Sequence, residues 1–105
     1  MKKEDFKLSR GNAAGTSLVD EIQITYDKLV KLLGEPNADN DGYKTDAEWE
    51  LEVNGKILTI YNYKDGKNYI GENGLEVEDI TNWHVGGAGN LDVEINGLKK
   101  LLKEV

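Results

Sequence analysis

The sequence predicts an α+β domain: a small antiparallel sheet of three to five strands, with two helices packed on one face. Three observations predict it. Glu48-Trp49-Glu50-Leu51-Glu52-Val53 alternates acidic and apolar side chains with a period of two, the mark of a half-buried strand, and Asn54-Gly55 follows with the positive-φ pair of a tight hairpin turn. Tyr26, Leu29, Val30 and Leu33 fall on one face at helical spacing. Ile95, Leu98, Leu102 and Val105 repeat such a stripe near the C-terminus. The resulting order of strand, helix, hairpin, strand, helix suits one sheet with its helices on one side.

Taken in order, residues 1–5 read as a frayed start and Phe6-Lys7-Leu8 as the beginning of a strand. Ser9 to Gly15 reads as a loop, and Ser17 to Ile24 as a strand. Thr25 is a good N-cap for the first helix, and Asp27 in the first turn complements the helix dipole. Gly34 can take the left-handed stop and Pro36 prevents continuation. Asn37 to Asp46 is a polar loop leading into a hairpin of roughly Ala47–Val53 and Lys56–Tyr63. A two-residue turn pairs Val53 with Lys56, Leu51 with Leu58 and Trp49 with Ile60 on the core face. It pairs Glu52 with Ile57, Glu50 with Thr59 and Glu48 with Tyr61 on the other. Lys64 to Asn68 is a turn, Leu75 to Glu78 alternates, and Ile80 to Val85 reads as a further strand ended by Gly86-Gly87-Ala88-Gly89. Asn90 is a candidate cap for the last helix, with Asp92 and Glu94 in its first turn and Lys99, Lys100 and Lys103 in its last. Gly97 inside that helix costs about 1 kcal/mol relative to Ala.

The 105 residues form one domain without cysteine, which excludes disulfides, a thiolate nucleophile and cysteine metal sites. Apolar runs are far too short to span a membrane, and residues 1–10 lack the apolar stretch of a secretory signal. The net charge of −7 disfavours direct nucleic-acid binding and attraction to an anionic membrane. Seven acids against one Lys between Glu35 and Val53 make the middle of the chain acidic, whereas residues 1–10 and 96–105 are mildly basic. Basic surfaces, cations and neutral molecules are the favoured partners.

Four constellations bear on function. The first is the hairpin face of Glu48, Glu50, Glu52, Ile57, Thr59 and Tyr61, an acidic comb beside apolar and aromatic bodies that suits contact with an Arg- or Lys-rich protein surface. Tyr63, Tyr69 and Tyr43 cluster near its end. The second is Trp83-His84-Val85-Gly86-Gly87, where Trp83 stacking, His84 hydrogen bonding and the glycine amides could hold a nucleotide; the competing reading is a strand end with Trp83 and Val85 in the core and His84 outward. The third is Asn37, Asp39, Asp41, Gly42 and Glu48, which match a calcium-loop spacing, although the first place is Asn and a strand replaces the exiting helix. The fourth is the twenty acids themselves, which supply many chance carboxylate pairs. No serine elbow, phosphate loop or zinc set is present, so the expectation is a non-enzyme without cofactor.

Asp41-Gly42-Tyr43-Lys44-Thr45-Asp46-Ala47-Glu48-Trp49, Thr59 to Tyr69 and Asp79-Ile80-Thr81-Asn82-Trp83-His84-Val85-Gly86-Gly87, with Tyr26 to Val30 and Gly34-Glu35-Pro36 ahead of them, resemble a group of small proteins encoded by bacteriophages. The resemblance spans roughly residues 17–87 and carries over no catalytic residue. It implies a viral accessory protein in the cytoplasm of a bacterial host. That context favours stoichiometric inhibition of a host defence factor through the acidic surface. A nucleotide-signal sponge at Trp83, His84, Gly86 and Gly87 and a calcium-binding module are the alternatives. Sheet edges and the partly apolar Ile57/Thr59/Tyr61 face also allow self-association.

Overall fold

The computed structural model describes residues 1–38 and 45–105. Its strands are β1 (Lys7–Leu8), β2 (Ser17–Gln23), β3 (Glu48–Val53), β4 (Lys56–Tyr61) and β5 (Asn82–Gly87). Its helices are α1 (Tyr26–Leu33), α2 (Lys67–Ile70) and α3 (Asp92–Glu104). The strands form one antiparallel sheet in the order β1-β3-β4-β5-β2. The α+β class, the central hairpin and the helices on one face are all present as the sequence predicts.

The hairpin has the expected register from Glu48 opposite Tyr61 to Val53 opposite Lys56. Asn54 and Gly55 have φ of 54° and 74°, the left-handed pair that a two-residue turn needs to match strand twist. Trp49, Leu51, Leu58 and Ile60 are fully buried on the helix side. Trp83 and Val85 of β5 join them. The two indoles meet edge to face with ring centres 5.5 Å apart, and Tyr26 of α1 lies against both at 5.8 and 6.2 Å. Neither indole N–H is stranded: Trp49 Nε1 donates to the Gly34 carbonyl and Trp83 Nε1 to the Ile24 carbonyl. The two tryptophans thereby clamp both ends of α1 to the sheet. Leu29, Leu32 and Leu33 of α1 and Ile95, Leu98 and Leu102 of α3 complete the core.

Capping follows the sequence at α1, whereas at α3 the N-cap position is Leu91, one residue past the expected Asn90. The Thr25 side chain accepts from the Lys28 N–H, and the Gly34 N–H closes on the Val30 carbonyl with φ of 85°. Asn90 Oδ1 accepts the Asp92 N–H at the start of α3. Glu94 Oε2 accepts from Asn54 Nδ2, and Glu94 Oε1 from Lys56 Nζ, which ties the hairpin turn to the first turn of α3. The Asn54 hydrogen bond, with help from Lys56, holds the Glu94 carboxyl below its usual range against the opposing cost of burial. A depressed pKa means stability that is present above the ordinary glutamate value and is lost as pH falls through the lowered one. Acid titration of stability therefore has a component below about pH 4.3 that Glu94→Gln removes. Denaturation midpoints at pH 3 and pH 6 test this: the wild type loses more than the variant between them.

Three local expectations differ from the structure. Leu75 to Glu78 alternates in sequence but enters a 3-10 turn at Val77–Asp79, because the excursion between β4 and β5 is occupied by the short α2 and turns, not by a paired strand. Residues Lys3–Asp5 also form a 3-10 turn, and Phe6 behind it enters the core. Gly86 and Gly87 do not follow β5 but are its last two residues. A Cβ on Gly87 would fall 1.9 Å from Leu91 Cδ1, and one on Gly86 2.5 Å from Thr59 Oγ1. These glycines are there for close approach within a packed sheet.

Candidate functional site

Among the described residues, helices cover one face of the sheet and not the other. Side chains of alternate residues on β3, β4, β5 and β2 line the second, outer face in rows. One row runs Glu50, Thr59, Gly86, Leu18, and the next runs Glu48, Tyr61, His84, Glu21.

The first row is roofed by the chain itself. β1 pairs at one edge of the sheet and β2 at the other, so residues 9–16 must cross a face to connect them. They cross the outer one. The Asn12 N–H donates to both oxygens of Glu50 at 3.2 and 3.3 Å, and Ser17 O lies 3.5 Å from where a Gly86 Cβ would stand. Asn37 anchors the crossing: its Nδ2 donates to the carbonyls of Ser9 and Glu50, and its Oδ1 accepts the Glu50 N–H. Ala38 N–H then donates to the Glu48 carbonyl, so β3 keeps a partner beyond the two residues of β1.

This strap corrects the expected comb. Glu50 and Thr59 are each only 3% exposed and cannot meet a partner. Glu52 is exposed, and Glu48, Ile57 and Tyr61 are half-buried. The strap was missed because strand order is a long-range property: local pattern says that β3 has a polar face, not what lies on it. Asn12 and the glycines in residues 9–15 were the signal for a chain running close over a sheet.

The second row, half-buried at Glu48, Tyr61 and His84 and exposed at Glu21, forms the candidate site. His84 sits with its ring 5.4 Å from Tyr63, stacked, and 5.5 Å from Tyr61, edge on. Its Nε2 lies 3.3 Å from Glu21 Oε1. Asn82 Nδ2 reaches the same Glu21 oxygen, and Gln23 Nε2 bonds Asn82 Oδ1. Lys64 Nζ stands 5.1 Å over the Tyr63 ring and 5.3 Å over that of Tyr69. Burial, then the Glu48 carboxylate and Tyr63, push the Tyr61 phenol up from its ordinary value, so it stays a neutral hydrogen-bond donor. The result is an aromatic and imidazole strip with a carboxylate at each end, held on four rigid strands. Such a strip can receive guanidinium or ammonium groups by ion pairing and by stacking. The hairpin register expected from the sequence already sets Glu48 opposite Tyr61, whereas only the β4–β5 register brings Tyr61 against His84.

The proposed nucleotide residues do not come together. Trp83 is fully buried with its N–H used, so it offers no stacking face. Gly86 and Gly87 are buried between β4 and β2, where their backbone belongs to the ladder and not to an anion cradle. His84 alone of that set reaches the surface, as the strand-end reading expects. In the calcium pattern, Asp39 and Asp41 lie outside the described residues, while the Asn37 side chain is occupied by the strap. Among the described residues, no group of three or more metal-ligating side chains is placed to hold an ion. No described helix is long and apolar enough to cross a membrane. No family model, curated protein or solved structure matches this chain.

Proposed function

We propose that the protein is a non-enzymatic, phage-encoded accessory protein that works by stoichiometric binding, docking its acidic outer sheet face onto a basic site of a bacterial host defence factor. The observation that carries this reading is the row of Glu48, Tyr61, His84 and Glu21 with Tyr63 beside it, on the sheet face that, among the described residues, no helix covers. Aromatic and acidic side chains on a preorganised sheet lose little conformational entropy on binding, which favours tight contact with arginine and lysine. The net charge of −7 adds long-range attraction to a surface built for nucleic acid. Glu52 is a second, separate exposed acid at the hairpin, beyond the roofed row; Glu50 belongs to the strap and not to the interface.

Affinity capture from a bacterial lysate at 0.05 and 0.5 M salt, with nuclease treatment, tests the reading. The expected result is a protein partner retained at low salt and reduced at high salt. It disappears when Glu21, Glu48 and Glu52 are reversed together to Lys. Capture that survives this triple reversal would falsify the assignment of the outer face.

A further inference from the structure

We propose that the open edge of β2, with the lysine-lined cleft beside it, is a docking site for an extended acidic peptide segment of a partner, which adds to the sheet as a sixth strand. This site lies at the sheet edge and on the helix side; it borders the outer row at Glu21 but rests on the β2 backbone and the lysines, not on the outer-face reading above.

The edge comes first. Among the described residues β2, seven residues long, pairs only with β5, whereas the opposite edge strand, β1, has two. The Ile24 N–H donates to the Thr81 carbonyl and therefore faces β5. In an antiparallel strand alternate residues direct their backbone groups to the same side, so Ile22 faces β5 too, and Glu21 and Gln23 face outward. The Glu21 N–H confirms the direction: its acceptor is not a strand but the Asp20 carboxylate, at 2.7 Å. The edge is thus guarded by that side chain, which a docking strand can displace, and by the register irregularity between Leu18 and Asp20, which leaves residues 21–24 as the regular stretch. No proline interrupts it.

The cleft supplies the chemistry. A hollow of about 510 Å³ runs along residues 21–24, floored by Ile22, Ile24 and Leu102 and rimmed by Lys28 of α1 and Lys99 and Lys103 of α3. Lys99 pairs with Asp20 at 2.8 Å. Among the described residues, neither Lys28 nor Lys103 has an ion-pair partner. A cationic rim is unexpected on a chain of charge −7, and it sits where the inward side chains of an added strand would project. Alternating acidic and small apolar side chains fit it: acids to the lysines, apolar groups to the isoleucine floor. The net charge opposes approach over distance, but at 0.15 M salt screening within about 8 Å leaves the local lysines to decide. A second copy of this chain is a poorer occupant. Antiparallel pairing of two β2 edges about a two-fold axis would bring two sets of three lysines together.

The test is an NMR titration of the labelled protein, in 0.15 M salt, with an eight-residue peptide alternating Asp and Val. Two control peptides carry Lys for Asp, or N-methyl groups on alternate amides. The expected result is shifts confined to residues 20–24, Lys28 and 99–103, with the Gln23 amide slowed in hydrogen exchange. The Lys peptide and the N-methylated peptide give neither effect. Lys28→Glu with Lys103→Glu weakens binding at least tenfold. If that variant loses spectral dispersion, the two control peptides on the unmodified protein decide the matter. No shift with the acidic peptide, equal binding of either control, or a dimer that already occupies β2 in free solution would each overturn the proposal.

Discussion

Replacing Trp49 with Ala is expected to lower stability by about 3–5 kcal/mol, the range for deleting a large buried aromatic side chain. Trp49 is fully buried, touches Trp83 and Tyr26, and bonds the carbonyl that ends α1. Its loss opens a cavity at the point where helix and hairpin meet, and it frees the Gly34 carbonyl. A domain of this size has roughly 5–15 kcal/mol in total, so the variant lies close to the folding threshold. At about 4–8 °C per kcal/mol, the melting temperature falls by at least ten degrees. Thermal melting by circular dichroism measures it. Trp49→Phe keeps most of the volume and removes the N–H, so a smaller drop there separates packing from the hydrogen bond. A melting curve of Trp49→Ala superimposed on the wild type would contradict the burial on which the hairpin register rests.

The second large effect is expected at Asn62, a fully buried polar residue just past β4. Its Oδ1 accepts the N–H groups of Asp46 at 2.7 Å and Ala47 at 3.0 Å. Its Nδ2 donates to Asp46 Oδ1 at 2.9 Å and Asp65 Oδ1 at 3.0 Å. Asp46 Oδ2 in turn accepts the Asn68 N–H. One amide thus joins the entry of β3 to the turn that follows β4, and both of its ends are used. Asn62→Leu matches the size but leaves two backbone donors unpaired and two carboxylates without their shared donor. At about 1–3 kcal/mol for each orphaned donor, the cost is roughly 2–6 kcal/mol, read as a lowered denaturant midpoint with unchanged slope. Asn62→Asp places a third carboxylate beside Asp46 and Asp65. Like charges raise its pKa, so part of its destabilisation is relieved as pH falls. A variant at Asn62 that keeps wild-type stability would mean that these bonds are made equally well by water.

Asn62 also shows why some of the fold was not legible. A lone Asn after a strand carries no local pattern, and its partners lie on the far side of the hairpin. Glu50 makes the same point more sharply. Its place in an alternating strand predicts an outward side chain, and outward it is; burial came from a strap whose path depends on which edges β1 and β2 occupy. Gly86 and Gly87 read locally as the stretch after the strand, whereas they are its last two residues, packed close to Thr59 and Leu91.

What the chain determined by itself was whatever depends on neighbours a few residues apart. That includes the hairpin and its register, set by period-two alternation and an Asn-Gly turn. It also includes α1 with its Thr25 and Gly34 ends, α3 with its stripe, and the inward placement of Trp49, Trp83 and Val85. Tertiary structure alone decided which strands are edges, which face is roofed, and which exposed groups meet. Side-chain periodicity encodes the direction a residue faces, but what waits there is decided by segments distant in sequence, whose pairing no local pattern records. Tyr61 against His84, and the lysines of α1 and α3 beside the open edge of β2, exist as sites only because the sheet is ordered as it is.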